Sequence, residues 1–131
     1  MANQTSMTAT ATSWDETTYE ELPDGGKLTK AAFHQNFTGG LEGEGVAETL
    51  MCYAPDGTAR FTGQQFVSGK LEGRSGGFVL QTDGEYDGAG IRAKWSVVPN
   101  SGSGELRGLR GHGTSQATGM EVAMTFDYEF D

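Results

Sequence analysis

The sequence predicts an all-β chain closed into a single eight-stranded antiparallel up-and-down barrel. Three observations carry the prediction. Glycine-rich clusters punctuate the 131 residues at fairly even intervals, the residues between them alternate apolar with polar, and no segment sustains the i, i+3, i+4, i+7 pattern of an amphipathic helix. Glycine supplies 21 residues, more than twice its usual share of ~7%.

The punctuation falls, in order, at Pro23-Asp24-Gly25-Gly26, Gly39-Gly40, Pro55-Asp56-Gly57, Glu72-Gly73 with Gly76-Gly77, Asp87-Gly88, Pro99-Asn100-Ser101-Gly102, and the run from Gly113 to Gly119. Seven turns separate eight segments. The first segment opens on polar residues, and 1–8 are expected to be mobile. In the fourth, Phe61, Gly63, Gln65 and Val67 share one face against Arg60, Thr62 and Gln64. In the sixth, Ile91, Ala93, Trp95 and Val97 oppose Arg92, Lys94 and Ser96. The last alternates most regularly, with Val122, Met124, Phe126, Tyr128 and Phe130 on one side and Glu121, Ala123, Thr125, Asp127 and Glu129 on the other. Strands with one wet and one dry face form a sandwich or a barrel. Short meander links favour the barrel, which also hides its strand edges.

A chain of this length supports one core, so 1–131 is read as one domain. The formal charge of -9 arises from 18 acidic against 9 basic residues, and the basic ones form no stripe, which argues against a nucleic-acid partner. The single Cys52 cannot form an internal disulfide and fits a reducing, cytoplasmic location. Residues 1–13 lack the features of a signal peptide, and no stretch approaches the ~20 apolar residues of a membrane span, so no membrane partner is expected. Outward-facing Ala123, Phe66 and Val98 leave room for a homo-oligomer without demanding one.

Two motifs suggest ligands and fail on inspection. Asp83-Gly84-Glu85-Tyr86-Asp87-Gly88 places acids and a glycine as a calcium loop does, but Lys94 stands where the loop needs a bidentate glutamate, so a tight hairpin is the better reading. Gly102-Ser103-Gly104-Glu105-Leu106-Arg107-Gly108 has the glycine density of a phosphate cradle without the dinucleotide spacing or a following helix. His34 and His112 sit in no metal-ligand spacing with each other or with Cys52, so no metal is expected.

Candidate lumen residues follow from strand parity. In Val46-Ala47-Glu48-Thr49-Leu50-Met51-Cys52 the even positions carry Val46, Leu50 and Cys52. If that face points inward, Glu48 is a desolvated carboxyl with a raised pKa, suited to general acid–base work, and Cys52 is in the pocket too. The opposite register turns Met51 and Tyr53 inward and puts Glu48 in solvent. Gln35 and Gln65 share faces with Phe33, Phe37, Phe61 and Val67 and are candidate lumen hydrogen-bond donors. Trp14, Trp95, Phe33, Phe61, Phe78, Met124 and Tyr128 would line much of the interior. Eight strands either fill their lumen with side chains or leave room for one small ligand.

Trp14-Asp15-Glu16, Leu41-Glu42-Gly43-Glu44-Gly45, Gly73-Arg74-Ser75-Gly76-Gly77-Phe78, Trp95-Ser96-Val97-Val98-Pro99 and the stretch from Gly102 to Gly111 together resemble an uncharacterised bacterial domain-of-unknown-function family. That family is similar to the allene oxide cyclase-like barrels, whose late glycine motif matches Gly102 through Gly111. Dirigent proteins and several natural-product cyclases share the barrel. The resemblance implies an often oligomeric barrel that holds a reactive apolar substrate in one conformation, usually without a cofactor. Cys52 and His34 look like individual departures from it.

Two functions follow as expectations. One is a cofactor-independent cyclase or isomerase for an apolar metabolite, with Glu48 moving a proton, Gln35 or Gln65 polarising a carbonyl, and the lumen aromatics fixing substrate shape. The alternative is a non-catalytic small-molecule binder, which needs the same cavity and no buried ionisable group. A third, a packed barrel used in a protein assembly, needs no cavity at all.

Overall fold

The computed structural model describes residues 3–131. The strands are β1 (Asn3–Glu21), β2 (Lys27–Gly39), β3 (Leu41–Tyr53), β4 (Ala59–Leu71), β5 (Arg74–Tyr86), β6 (Ile91–Val97), β7 (Ser103–Gly104), β8 (Leu109–Ala117) and β9 (Glu121–Phe130), with a 3-10 turn at Pro23–Gly25. Hydrogen bonding runs β4-β3-β2-β1-β9-β8-β6-β5, and a further β4–β5 pairing closes the ring. Every pairing is antiparallel. The ring holds eight strands, and the two-residue β7 lies outside it against the start of β5.

Two local expectations change. Residues 3–8 are not a loose end: Asn3 to Thr10 pair with β9, and Met7 is 4% exposed. The remaining two residues of the expected mobile segment lie outside the described residues. The glycine run from Gly113 is not all turn, because β8 continues to Ala117. Gly113 sits inside that strand because Trp95 packs over it: a Cβ there would stand 2.3 Å from the indole and 2.1 Å from the Thr125 carbonyl.

The strand faces fall as the alternation in β4, β6 and β9 predicts. Val67, Trp95, Val97, Met124, Phe126 and Tyr128 are buried, while Arg60, Arg92, Lys94, Thr125 and Glu129 are exposed. What differs along the barrel axis is side-chain size. Towards the end that holds the β2–β3 and β4–β5 turns, inward positions carry Phe37, Leu41, Leu71, Phe78, Leu80 and Phe126, all 3% exposed or less. Leu106, from the β7–β8 connection, closes this end, and each large apolar side chain so buried contributes roughly 1.5–3 kcal/mol. Phe126 packs edge-on to Trp95 with ring centroids 4.9 Å apart, and the Arg74 guanidinium covers Phe130 at 4.3 Å. Towards the opposite end, inward positions carry Ala11, Ala47, Ala93 and Ala117 instead. Small residues there leave the lumen unfilled.

Candidate functional site

The unfilled half is a cavity of about 300 Å³, at the lower end of the range for small-ligand sites. Its wall includes Trp14, Phe33, Gln35, Phe61, Gln65, Trp95 and Met124, so seven of the residues the sequence nominated come together. Its mouth opens where β1 rises past the end of β9, between Ala11 and Trp14 on one side and Gly119, Met120 and Val122 on the other. Trp14 and Met120 are 52% and 79% exposed, as residues at an entrance would be.

Three nominated residues are elsewhere. Tyr128 is inside the barrel but in the packed half, against Phe126 at 5.2 Å and clear of the cavity. Glu48 and Cys52 are on the outer wall, because β3 adopts the register with Ala47, Met51 and Tyr53 inward. Glu48 makes an exposed ion pair with Lys30 at 2.9 Å, so it is not a desolvated lumen acid. The reason is spatial. Gln35 on β2 and Gln65 on β4 reach across β3 over Gly45, where a Cβ would stand 2.2 Å from Gln65 Nε2, so the face of Gly45 and Ala47 must be the inner one. Val46, Leu50 and Phe66 are consequently outside and about half exposed, with Val46 directly across from Phe66.

Polar groups in the wall are largely tied to one another. Gln65 Nε2 donates to Gln35 Oε1 at 2.9 Å, and Trp95 Nε1 donates to Ser115 Oγ at 2.9 Å. Thr49 and Thr82 add hydroxyls. Among the described residues, no Asp, Glu, His, Lys, Arg, Cys or Tyr lines the cavity. It therefore holds no group that can exchange a proton near neutral pH.

The carboxylate that matters is Glu16, which the sequence reading did not single out. Beside the mouth, in a separate concavity that Thr29, Lys27 and Tyr53 also line, it accepts from Thr29 Oγ1 and Tyr53 OH, both at 2.7 Å, and from Trp14 Nε1 at 3.1 Å. Burial pushes the Glu16 carboxyl up, but these three hydrogen bonds and nearby Lys27 outweigh it and hold the carboxyl below its ordinary 4.5. Burial and the negative partner drive Tyr53 the other way, up to about 12. Thr29 is 1% exposed, and the bond to Glu16 is what satisfies its hydroxyl. With its N–H held by Glu16, the Trp14 indole stacks on Phe33 at a centroid distance of 4.7 Å and 19° between planes. The mouth thus presents an ordered aromatic pair.

The ligand-like motifs resolve as structure. Asp83 to Tyr86 extend β5, and Asp87 caps the hairpin by accepting from the amides of Ala89 and Gly90 at 2.9 and 3.1 Å. In the late glycine stretch, Ser103 Oγ accepts from the Gly77 amide at 3.1 Å and pins the connection to β5. His34 and His112 are exposed, and among the described residues no group of three His, Cys, Asp or Glu is placed to hold a metal ion. Among those residues, too, no helix is long and apolar enough to cross a membrane.

Fold and site together define a closed eight-stranded antiparallel barrel with one end packed and an uncharged, mostly apolar cavity at the other. Residues 5–128 match the model of the DUF3224 family, described as a protein of unknown function, and the chain belongs to that family. It is similar to the crystal structure of a DUF3224 protein of unknown function from Shewanella oneidensis MR-1, with 30% identity and a TM-score of 0.76 over 98% of this chain and 99% of that one. Among curated proteins none matches.

Proposed function

We propose that the chain binds an uncharged, predominantly apolar small molecule in the open half of its lumen, and does so without acid–base catalysis. One observation carries this reading: the cavity wall is rich in aromatic, aliphatic and methionine side chains, and none of the described residues lining it is ionisable. A buried charge without a partner is too costly for such a site, so a charged ligand is disfavoured. With Glu48 on the outer wall, the cyclase reading loses its proton-transfer group, and only shape would be left to promote a reaction.

The closed ring and the glycine stretch from Gly102 to Gly111 support grouping the fold with the allene oxide cyclase-like barrels. That grouping speaks to architecture and to a lumen that takes apolar molecules, and it assigns no reaction. The lone exposed Cys52 supports a reducing, cytoplasmic setting.

The test is a fluorescence titration with neutral N-phenylnaphthylamine. The native chain is expected to bind one probe molecule with an affinity that stays flat from about pH 6 to pH 9, because no group in the wall titrates there. Ala47→Phe, which fills the lumen, should abolish the binding. Absence of saturable binding by the native chain, or unchanged binding by the filled variant, would overturn the proposal.

A further inference from the structure

The floor of the cavity is set by strand parity. Gln35, Gln65, Trp95 and Met124 line it, whereas the next inward residues on the same strands, Phe37, Val67, Val97 and Phe126, are core residues that do not reach it. A molecule entering at the mouth ends against those first four side chains. The Trp95 N–H is already held by Ser115, and Met124 offers no donor. What the floor presents in polar terms is the pair of amides.

Each primary amide has two N–H donors and one carbonyl acceptor. The single bond between Gln65 and Gln35, 2.9 Å long, uses one donor and one acceptor. The Gln65 carbonyl, the Gln35 amino group and the second N–H of Gln65 remain, and no hydrogen bond to them is made by the described residues. This result does not depend on which end of each amide is oxygen: exchanging both ends still leaves one carbonyl and one amino group. Gln65 is 7% exposed and Gln35 is partly buried, so a ligand seated above them would shut these groups off from solvent. A purely apolar ligand would strand them in a dry site, which lowers its affinity. A carboxylate would match neither the free carbonyl nor a wall without cations.

We propose that the Gln35–Gln65 floor recognises a neutral carboxamide-type head, a carbonyl beside an N–H, on an apolar body that occupies the cavity above it. The ligand's carbonyl accepts from the free amino group, and its N–H donates to the free carbonyl. This assignment rests on the reading of the lumen as a binding cavity.

Three probes with the same ring system separate the two claims: naphthamide, methyl naphthoate, which keeps the carbonyl and lacks the N–H, and methylnaphthalene, which lacks both. Titrated against the native chain by intrinsic tryptophan fluorescence, naphthamide is expected to bind at least about tenfold tighter than either of the others. In Gln35→Met/Gln65→Met, where both partners are replaced together, that preference should vanish while methylnaphthalene binding persists and reports an intact lumen. Equal affinity of the native chain for all three, or a preference that survives the double substitution, overturns the head-group assignment and leaves the cavity reading standing. If none of the three binds the native chain, both fall. The native comparison decides the matter even if the double variant does not fold.

Discussion

Beside the mouth of the cavity, three donors from three strands converge on one carboxylate. Trp14 and Glu16 come from β1, Thr29 from β2 and Tyr53 from β3, so Glu16 ties the long hairpin to its neighbour and fixes the indole over Phe33. An offset aromatic pair of this kind is worth about 0.5–1.5 kcal/mol beyond its buried area. The folded carboxyl has a pKa below its ordinary 4.5, so its stabilisation is fully present above that value and is lost as pH falls through the folded pKa. Tyr53, raised from 10 to about 12, contributes stability that is present below 10 and lost as pH rises towards 12. Glu16→Gln should lower the unfolding temperature at neutral pH, and the gap between native and variant should narrow once pH falls below 4.5. Thermal unfolding in both pH ranges checks this; a gap that stays constant would show that the ionised carboxylate contributes nothing.

The same residues show what the sequence can and cannot disclose. Trp95, Phe61 and Gln65 are legible as lumen residues because β4 and β6 alternate unambiguously, with charged or polar outer faces. In β3 both faces carry apolar residues, Val46 and Leu50 on one and Ala47 and Met51 on the other, so parity alone does not choose between them. The choice is made by Gly45, which must face inward to let two glutamines meet above it, and that contact joins residues 30 apart in sequence. Glu16 is hidden for the same reason, since two of its three partners lie 13 and 37 residues away. A usable signal was present in the small inward residues: Ala93 falls on the face of Trp95, yet alanine there means space rather than packing.

Among the elements, β1 is the one whose exposure carries a risk. Its 19 residues pair with β2 from Met7 to Glu21, but β9 covers it only as far as Thr10. From Ala11 to Glu21 one edge has no strand beside it, a consequence of the stagger that closing a barrel requires. Such edges invite pairing with another chain, and natural proteins blunt them with bulges and charge. Here the register shifts between Ala11 and Ser13 and again between Thr18 and Glu20, and Asp15, Glu20 and Glu21 are exposed along the edge. Asp15→Thr/Glu20→Thr/Glu21→Thr should therefore associate at neutral pH, visible as a larger species in light scattering, while removal of Glu42, Glu44 and Glu129 should not. Identical behaviour of the two variants would mean that overall charge, not this edge, keeps the chain dispersed. The turns that bound the elements are legible because Pro-Asp-Gly and Asp-Gly pairs suit the conformations a hairpin needs. The start of β1 is less so, because its polar residues look like a loose end until β9 is seen to pair with them.

Across the whole molecule, the division of labour follows from side-chain volume. The packed end, with Phe78 and Phe126 fully buried, secures the ring, and the alanine-lined end is free to hold a ligand without unfolding it. The outer wall is mostly polar or charged, with Tyr19 and the half-exposed group of Val46, Leu50 and Phe66 as its large apolar side chains away from the mouth. An open apolar cavity takes up xenon, whereas a close-packed interior does not. A crystal of the native protein under xenon pressure is the most direct test of this arrangement. Xenon is expected between Ala47, Phe61, Ala93 and Ala117, and none among Phe37, Phe78, Leu80 and Phe126. A lumen without xenon, collapsed or filled by Trp14 and Phe61, would contradict it.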